Sequence, residues 1–147
     1  MDFELFLYSV YSVEQISKTL ESIISNTLKS DVKYEVNEDY IYIGSNLFSM
    51  SLENEDVSDL DFIMKEYNVN VNLCIDIQVY NKTYMEGISE VIKVIGKLLD
   101  VIQCDALLLR DGSKQVLRRD GKELIVNKDI DNVPFEKINL LYKEEKI

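Results

Sequence analysis

The sequence predicts an α+β fold: a mainly antiparallel sheet formed from meanders, with two main helices packed on one face. Three observations carry that expectation. Short runs of alternating apolar and polar residues recur along the chain, two amphipathic helical stretches are each flanked by such runs, and most connections are short enough for hairpins. At 147 residues, with a hydrophobic share of 46%, one Pro and five Gly, residues 1–147 are expected to form a single domain around one core.

The opening run Asp2-Phe3-Glu4-Leu5-Phe6-Leu7-Tyr8 alternates and carries aromatics, which predicts a strand. A helix should follow at once. Ser12 and Gln15 have capping-box spacing, and Val13, Ile16, Leu20, Ile23, Ile24 and Leu28 recur at three- and four-residue steps, so their common stripe must face a sheet. Three short strands are then expected at Val32–Val36, Tyr40–Ile43 and Leu47–Leu52, separated by Asn37-Glu38-Asp39 and Gly44-Ser45-Asn46. Residues 53–61 hold Glu53, Glu55, Asp56, Asp59 and Asp61, the densest charge in the chain, and read as an exposed acidic loop leading into a helical turn near Leu60–Glu66.

From Val69 to Tyr80 the odd-numbered positions are apolar, the pattern of a long half-buried strand whose other face is wetter. Thr83 and Glu86 repeat the capping-box spacing, and Ile88, Val91, Ile92, Ile95, Leu98, Leu99 and Ile102 give the following helix so wide an apolar face that it should be the most buried one. Asp111-Gly112 and Asp120-Gly121 then predict two hairpins joining strands at 105–110, 114–119 and 122–127. A two-residue Asp120-Gly121 turn would set Arg118 opposite Glu123 and Leu117 opposite Leu124. Beyond Pro134, residues 133–142 are compatible with either a strand or a short helix.

Composition narrows function mainly by exclusion. The net charge of −11 opposes a nucleic-acid backbone and an anionic membrane surface, and it would steer a basic protein toward this one; it serves solubility equally well. There is no His, so Ser-His and Cys-His nucleophile pairs and His metal clusters are absent. The five Gly form neither GxGxxG nor GxxxxGK[ST], leaving nucleotide cofactors without a cradle. Asp56-Val57-Ser58-Asp59-Leu60-Asp61 lacks the mid-loop Gly and regular spacing of a calcium loop. Cys74 and Cys104 have no metal-type spacing and read as small buried hydrophobes, which with the absence of a charged leader or a long apolar run points to a cytoplasmic protein.

No catalytic residue, cofactor or metal is therefore expected, although a carboxylate enzyme or small-ligand carrier built round a deep acidic pocket is a further reading. Arg118 and Arg119 point to opposite faces of a strand and cannot grip one anion together, so cross-strand ion pairs are expected of them. Tyr8, Tyr11, Tyr34, Tyr40, Tyr42 and Tyr80 are candidates for a protein contact, against the plainer reading of partly buried sheet residues. The predicted partner-binding set is Glu53, Glu55, Asp56, Asp59, Asp61, Tyr40 and Tyr42.

Val71-Asn72-Leu73-Cys74-Ile75-Asp76, the helix over 83–102, Asp105-Ala106-Leu107-Leu108-Leu109-Arg110-Asp111-Gly112 and the closing Leu117–Asn127 stretch with Arg119, Gly121, Leu124 and Asn127 occur in an order that resembles the Sit-type immunity family of bacteria. The resemblance spans roughly residues 69–127. Arg110-Asp111-Gly112-Ser113 departs from the Asn-Gly turn common there, and the acidic 53–61 stretch has no counterpart. What the resemblance implies is a non-catalytic protein that binds and neutralises a toxin from neighbouring cells, and the acidity would suit a basic toxin such as a nuclease. The alternative is an acidic secretion-chaperone-like protein holding an effector segment, a class that typically opens with a helix instead of a strand.

Overall fold

The structure, a computed structural model, describes residues 1–53 and 57–147, with the side chains of 57–59 also outside the description. Its strands are β1 (Asp2–Leu7), β2 (Lys33–Val36), β3 (Tyr40–Gly44), β4 (Phe48–Glu53), β5 (Leu73–Val79), β6 (Ala106–Arg110), β7 (Lys114–Asp120), β8 (Glu123–Asn127) and β9 (Lys143–Glu145). The helices are α1 (Val13–Leu28), α2 (Val57–Tyr67) and α3 (Tyr84–Val101). All nine strands form one sheet in the order β2-β3-β4-β5-β1-β6-β7-β8-β9, with every ladder antiparallel except β8–β9. The α+β class and the two main helices on one face are as the sequence predicts.

β1 sits at the centre because both its faces are apolar. Phe3, Leu5 and Leu7 enter the main core with α1 and α3, while Phe6 joins a second cluster with Leu60, Val69, Val71, Cys74, Leu107 and Leu109 on the opposite face. That second cluster is the seat of α2, an eleven-residue helix where only a turn is expected from the sequence. The stretch from Val69 accordingly changes face. Asn68 (φ 51) ends the helix in a left-handed turn, Val69 and Val71 stay under α2, and the sheet begins only at Leu73, whose odd-numbered successors point to the main core.

The α1 cap forms as predicted: the Gln15 N–H donates to Ser12 Oγ (3.2 Å) and the Ser12 N–H donates to Gln15 Oε1 (2.9 Å). The Thr83–Glu86 box does not. A 3₁₀ turn, Asn81–Thr83, runs directly into α3, and Thr83 makes no side-chain cap bond: its backbone (φ −133, ψ 33) lies outside the extended geometry from which a capping side chain reaches back to the helix N–H groups. α3 is buried on almost every side, with the sheet beneath it, α1 alongside, and a second 3₁₀ turn, Phe135–Ile138, against its outer flank. Residues 133–142 thus resolve as a docked short helix, followed by a parallel edge strand.

The Asp120-Gly121 register differs from the expected one. Asp120 pairs with Glu123, so Leu117 faces Val126 and Arg118 faces Ile125. Gly121 (φ 65) takes the first central position of the turn, where positive φ is needed, and Asp120 stays in the strand. A two-residue shift preserves facing, so the apolar positions remain in the core. In the preceding hairpin Leu108 pairs with Leu117 but Leu109 with Gln115, and the extra residue, Val116, is buried beside Leu117.

The two arginines hold helices instead of cross-strand acids. On the main-core side the Arg119 guanidinium donates to the carbonyls of Leu99 (2.8 Å), Cys104 (2.7 Å) and Ile102, closing the C-terminal end of α3. On the other side Arg118 donates to the carbonyls of Tyr67 and Asn68 (both 2.9 Å) and pairs with Asp120 on its own strand. Alternation along β7 thereby lets neighbouring residues clamp α3 and α2 on opposite faces of the sheet. No helix among the described residues is long and apolar enough to cross a membrane.

Candidate binding face

α2 covers only part of its face of the sheet, and the uncovered part is polar. Registered pairs run across it in one row: Glu35 opposite Tyr42, Tyr42 opposite Ser51, Ser51 opposite Asp76, and Asp76 opposite Glu4. A second row places Gly44 opposite Ser49, Ser49 opposite Gln78, and Gln78 opposite Asp2. A depression of about 580 Å³ lies over these rows, lined by Asp2, Glu4, Ser49, Ser51, Asp76 and Gln78, and closed at one end by the Asp111-Gly112 turn. Among the described residues its lining contains no Lys or Arg. The turn is tied to β1 by the Asp111 N–H donating to the Asp2 carbonyl at 2.9 Å.

Like charges directly opposite one another in a ladder are unfavourable, and here they share a half-covered site. Burial pushes the Glu4 carboxyl above the usual carboxylate range, and the charges of Asp76 and Asp2 push it further. Asp76 is raised by burial and then by Glu53 and Asp2, against a lowering hydrogen bond from the Cys74 thiol. For both groups the folded pKa exceeds the unfolded one, so the native state holds the extra proton between the two values. Their contribution to stability is best below the unfolded pKa and declines as pH rises through the folded one. Glu4→Gln and Asp76→Asn should each stabilise the protein at pH 7, by up to about 1 kcal/mol, and flatten this decline; urea midpoints between pH 4 and 7 check it.

Tyrosines border the acidic row. The Tyr42 ring lies over Gly44, where any Cβ would stand 2.8 Å from it, so the glycine is what lets the ring lie flat along the strand. Burial and hydrogen bonding with Tyr42 raise the Tyr80 phenol, which also bonds Ser49. Glu4, Cys74 and Asp76 bring three ligand atoms within 4.8 Å of one another, and they are the described residues that could hold a cation, with the thiol buried against α2.

The predicted site residues are partly gathered here. Tyr40 and Glu53 face each other across β3–β4, both exposed, and Tyr42 is half-buried in the row itself. Asp61 is exposed on α2, outside the depression. Glu55, Asp56 and the Asp59 side chain lie outside the described residues. Asp2, Glu4, Asp76 and Asp111 were not among the predicted set; the signal for the first three was the polar parity of residues 2–8 and 69–80, which becomes a site only once β1 and β5 are paired, and Asp111 was legible only as a turn residue. Comparison with protein-family models, with curated proteins and with solved structures finds no match.

Proposed function

We propose that the chain is a non-catalytic immunity protein that binds and neutralises a basic toxin domain on its open, acidic sheet face. The observation that carries this reading is the row of carboxylates meeting at Asp76 and Glu4 with no cation among the described residues lining the depression. Such a surface is costly to keep in isolation and gains from a guanidinium or ammonium brought by a partner. A rigid sheet with bordering tyrosines supplies amphipathic contact area at little entropic cost. The depression lies on the solvent side of the sheet, with the packed core behind it, an arrangement suited to a protein surface more than to an enclosed small substrate.

The test is co-expression with the protein encoded by the adjacent reading frame, which this reading expects to be a toxin domain. Growth should be rescued by the wild-type chain and lost with Glu4→Lys/Asp76→Lys, a doubly charge-reversed variant whose fold is checked by circular dichroism. Failure of the wild-type chain to rescue growth or form a complex overturns the reading.

A further inference from the structure

The loop joining β1 to α1 exposes three large side chains in four residues: Tyr8 at 51%, Val10 at 89% and Tyr11 at 50%. Exposed apolar groups on a loose loop would be unremarkable, but this loop is pinned. The Tyr8 N–H donates to the Asp105 carbonyl (3.0 Å), the Ser9 N–H to Asn72 Oδ1 (2.8 Å), and Asn72 Nδ2 returns a bond to the Ser9 carbonyl (2.8 Å). Buried Ser9 then folds the loop on itself, its Oγ accepting from the Tyr11 N–H (2.9 Å) and donating to the Tyr11 carbonyl (3.1 Å). Ser12 follows as the α1 cap. The backbone is held from both sides while the apolar side chains are left in water, where their burial would have stabilised the fold.

We infer that this loop is a preformed anchor that inserts Val10, between Tyr8 and Tyr11, into an apolar cleft of the same basic protein partner. The inference rests on the proposed function for the partner's identity. Three observations favour that occupant. The net charge of −11 repels an anionic membrane and a second copy of this chain alike. Tyrosines flanking an aliphatic residue supply large contact area with a polar tip, a composition enriched at protein–protein contacts. β1 begins with Asp2 and Glu4 in the acidic rows and ends at the loop, a span of roughly 20 Å at about 3.3 Å per residue, so one interface of ordinary size that includes part of α2, which is seated over Phe6 between them, reaches both. Pinning the loop beforehand removes the ordering cost that a mobile loop would incur on docking.

A random peptide library displayed on phage, panned on the full chain, tests this without the toxin. Enriched peptides should be rich in aliphatic or aromatic residues, and should bind Val10→Asp and Tyr11→Ser about tenfold or more weakly, as hot-spot residues do. Glu4→Gln/Asp76→Asn should leave peptide binding at the loop unchanged, which separates this inference from the reading of the acidic face. Val10→Ser, the milder change, should show an intermediate loss. The inference is overturned if no peptide is enriched or if binding ignores Val10→Asp. It is equally overturned if Val10→Asp instead abolishes co-sedimentation with phosphatidylcholine vesicles or concentration-dependent dimerisation.

Discussion

Arg119→Met is expected to lower the unfolding free energy by about 3–5 kcal/mol, toward the low end of what three buried carbonyls left without a donor would cost. The methionine keeps the apolar stem but abandons the carbonyls of Leu99, Ile102 and Cys104 at the end of the most buried helix. Each buried carbonyl left unpaired carries a desolvation cost of roughly 1–3 kcal/mol. Arg119→Lys should recover only part of the loss, since an ammonium cannot span three divergent acceptors from one position. Arg118→Met, which releases α2 at a more solvated edge, should cost about 1–2 kcal/mol. Urea unfolding of the three variants reads the order directly, and an Arg119→Met protein within 1 kcal/mol of wild type would refute the capping account.

Gly96→Val should be comparably damaging for a different reason. A Cβ at Gly96 would stand 2.1 Å from the Ile138 carbonyl oxygen and 2.9 Å from its carbon, so the Phe135–Ile138 turn must lift from α3. Backbone cannot swing aside as a side-chain tip does. Overpacking of this kind costs about 1–3 kcal/mol or more, and it outweighs the gain of up to about 1 kcal/mol from replacing a helical glycine. Gly87 offers the contrast, because its nearest obstacle is a Val79 methyl group at 2.6 Å. Gly87→Ala should therefore cost less than Gly96→Ala. Thermal midpoints give the ranking, and faster amide exchange at residues 135–140 in the Gly96 variants would locate the displacement.

Local pattern made much of the fold legible. The period-two runs located eight strands within a few residues, and the Ser12–Gln15 box marked the start of α1 because its bonds are entirely local. Long-range pairing was not legible: nothing in residues 2–7 says that they lie between β5 and β6, although the apolar Phe6 on the otherwise polar side of β1 is the trace of burial on both faces. The Thr83–Glu86 spacing misled because capping depends on the backbone before the helix as well as on two side chains. Asp120-Gly121 misled by one turn position, since the glycine, not the aspartate, takes the positive φ.

The candidate face was legible only in part, and for the same reason. Tyr40, Tyr42 and Glu53 stand out because β3 and β4 are sequence neighbours, whereas Glu4 and Asp76 meet across a ladder between residues more than seventy positions apart. Counting acids along the chain draws attention to the dense 53–61 stretch. A lone acid between two buried hydrophobes, repeated on two paired strands, is the sparser and more telling pattern.

The association rate with the proposed partner, a basic toxin domain made catalytically inactive, measured against ionic strength, is the most direct test of the binding account. The wild-type chain should associate fast at low salt and slow steeply as salt rises, while Glu4→Gln/Asp76→Asn should associate more slowly with a flatter dependence. A complex whose association rate is the same in both proteins and indifferent to salt would show that the acidic face is not where the partner is met.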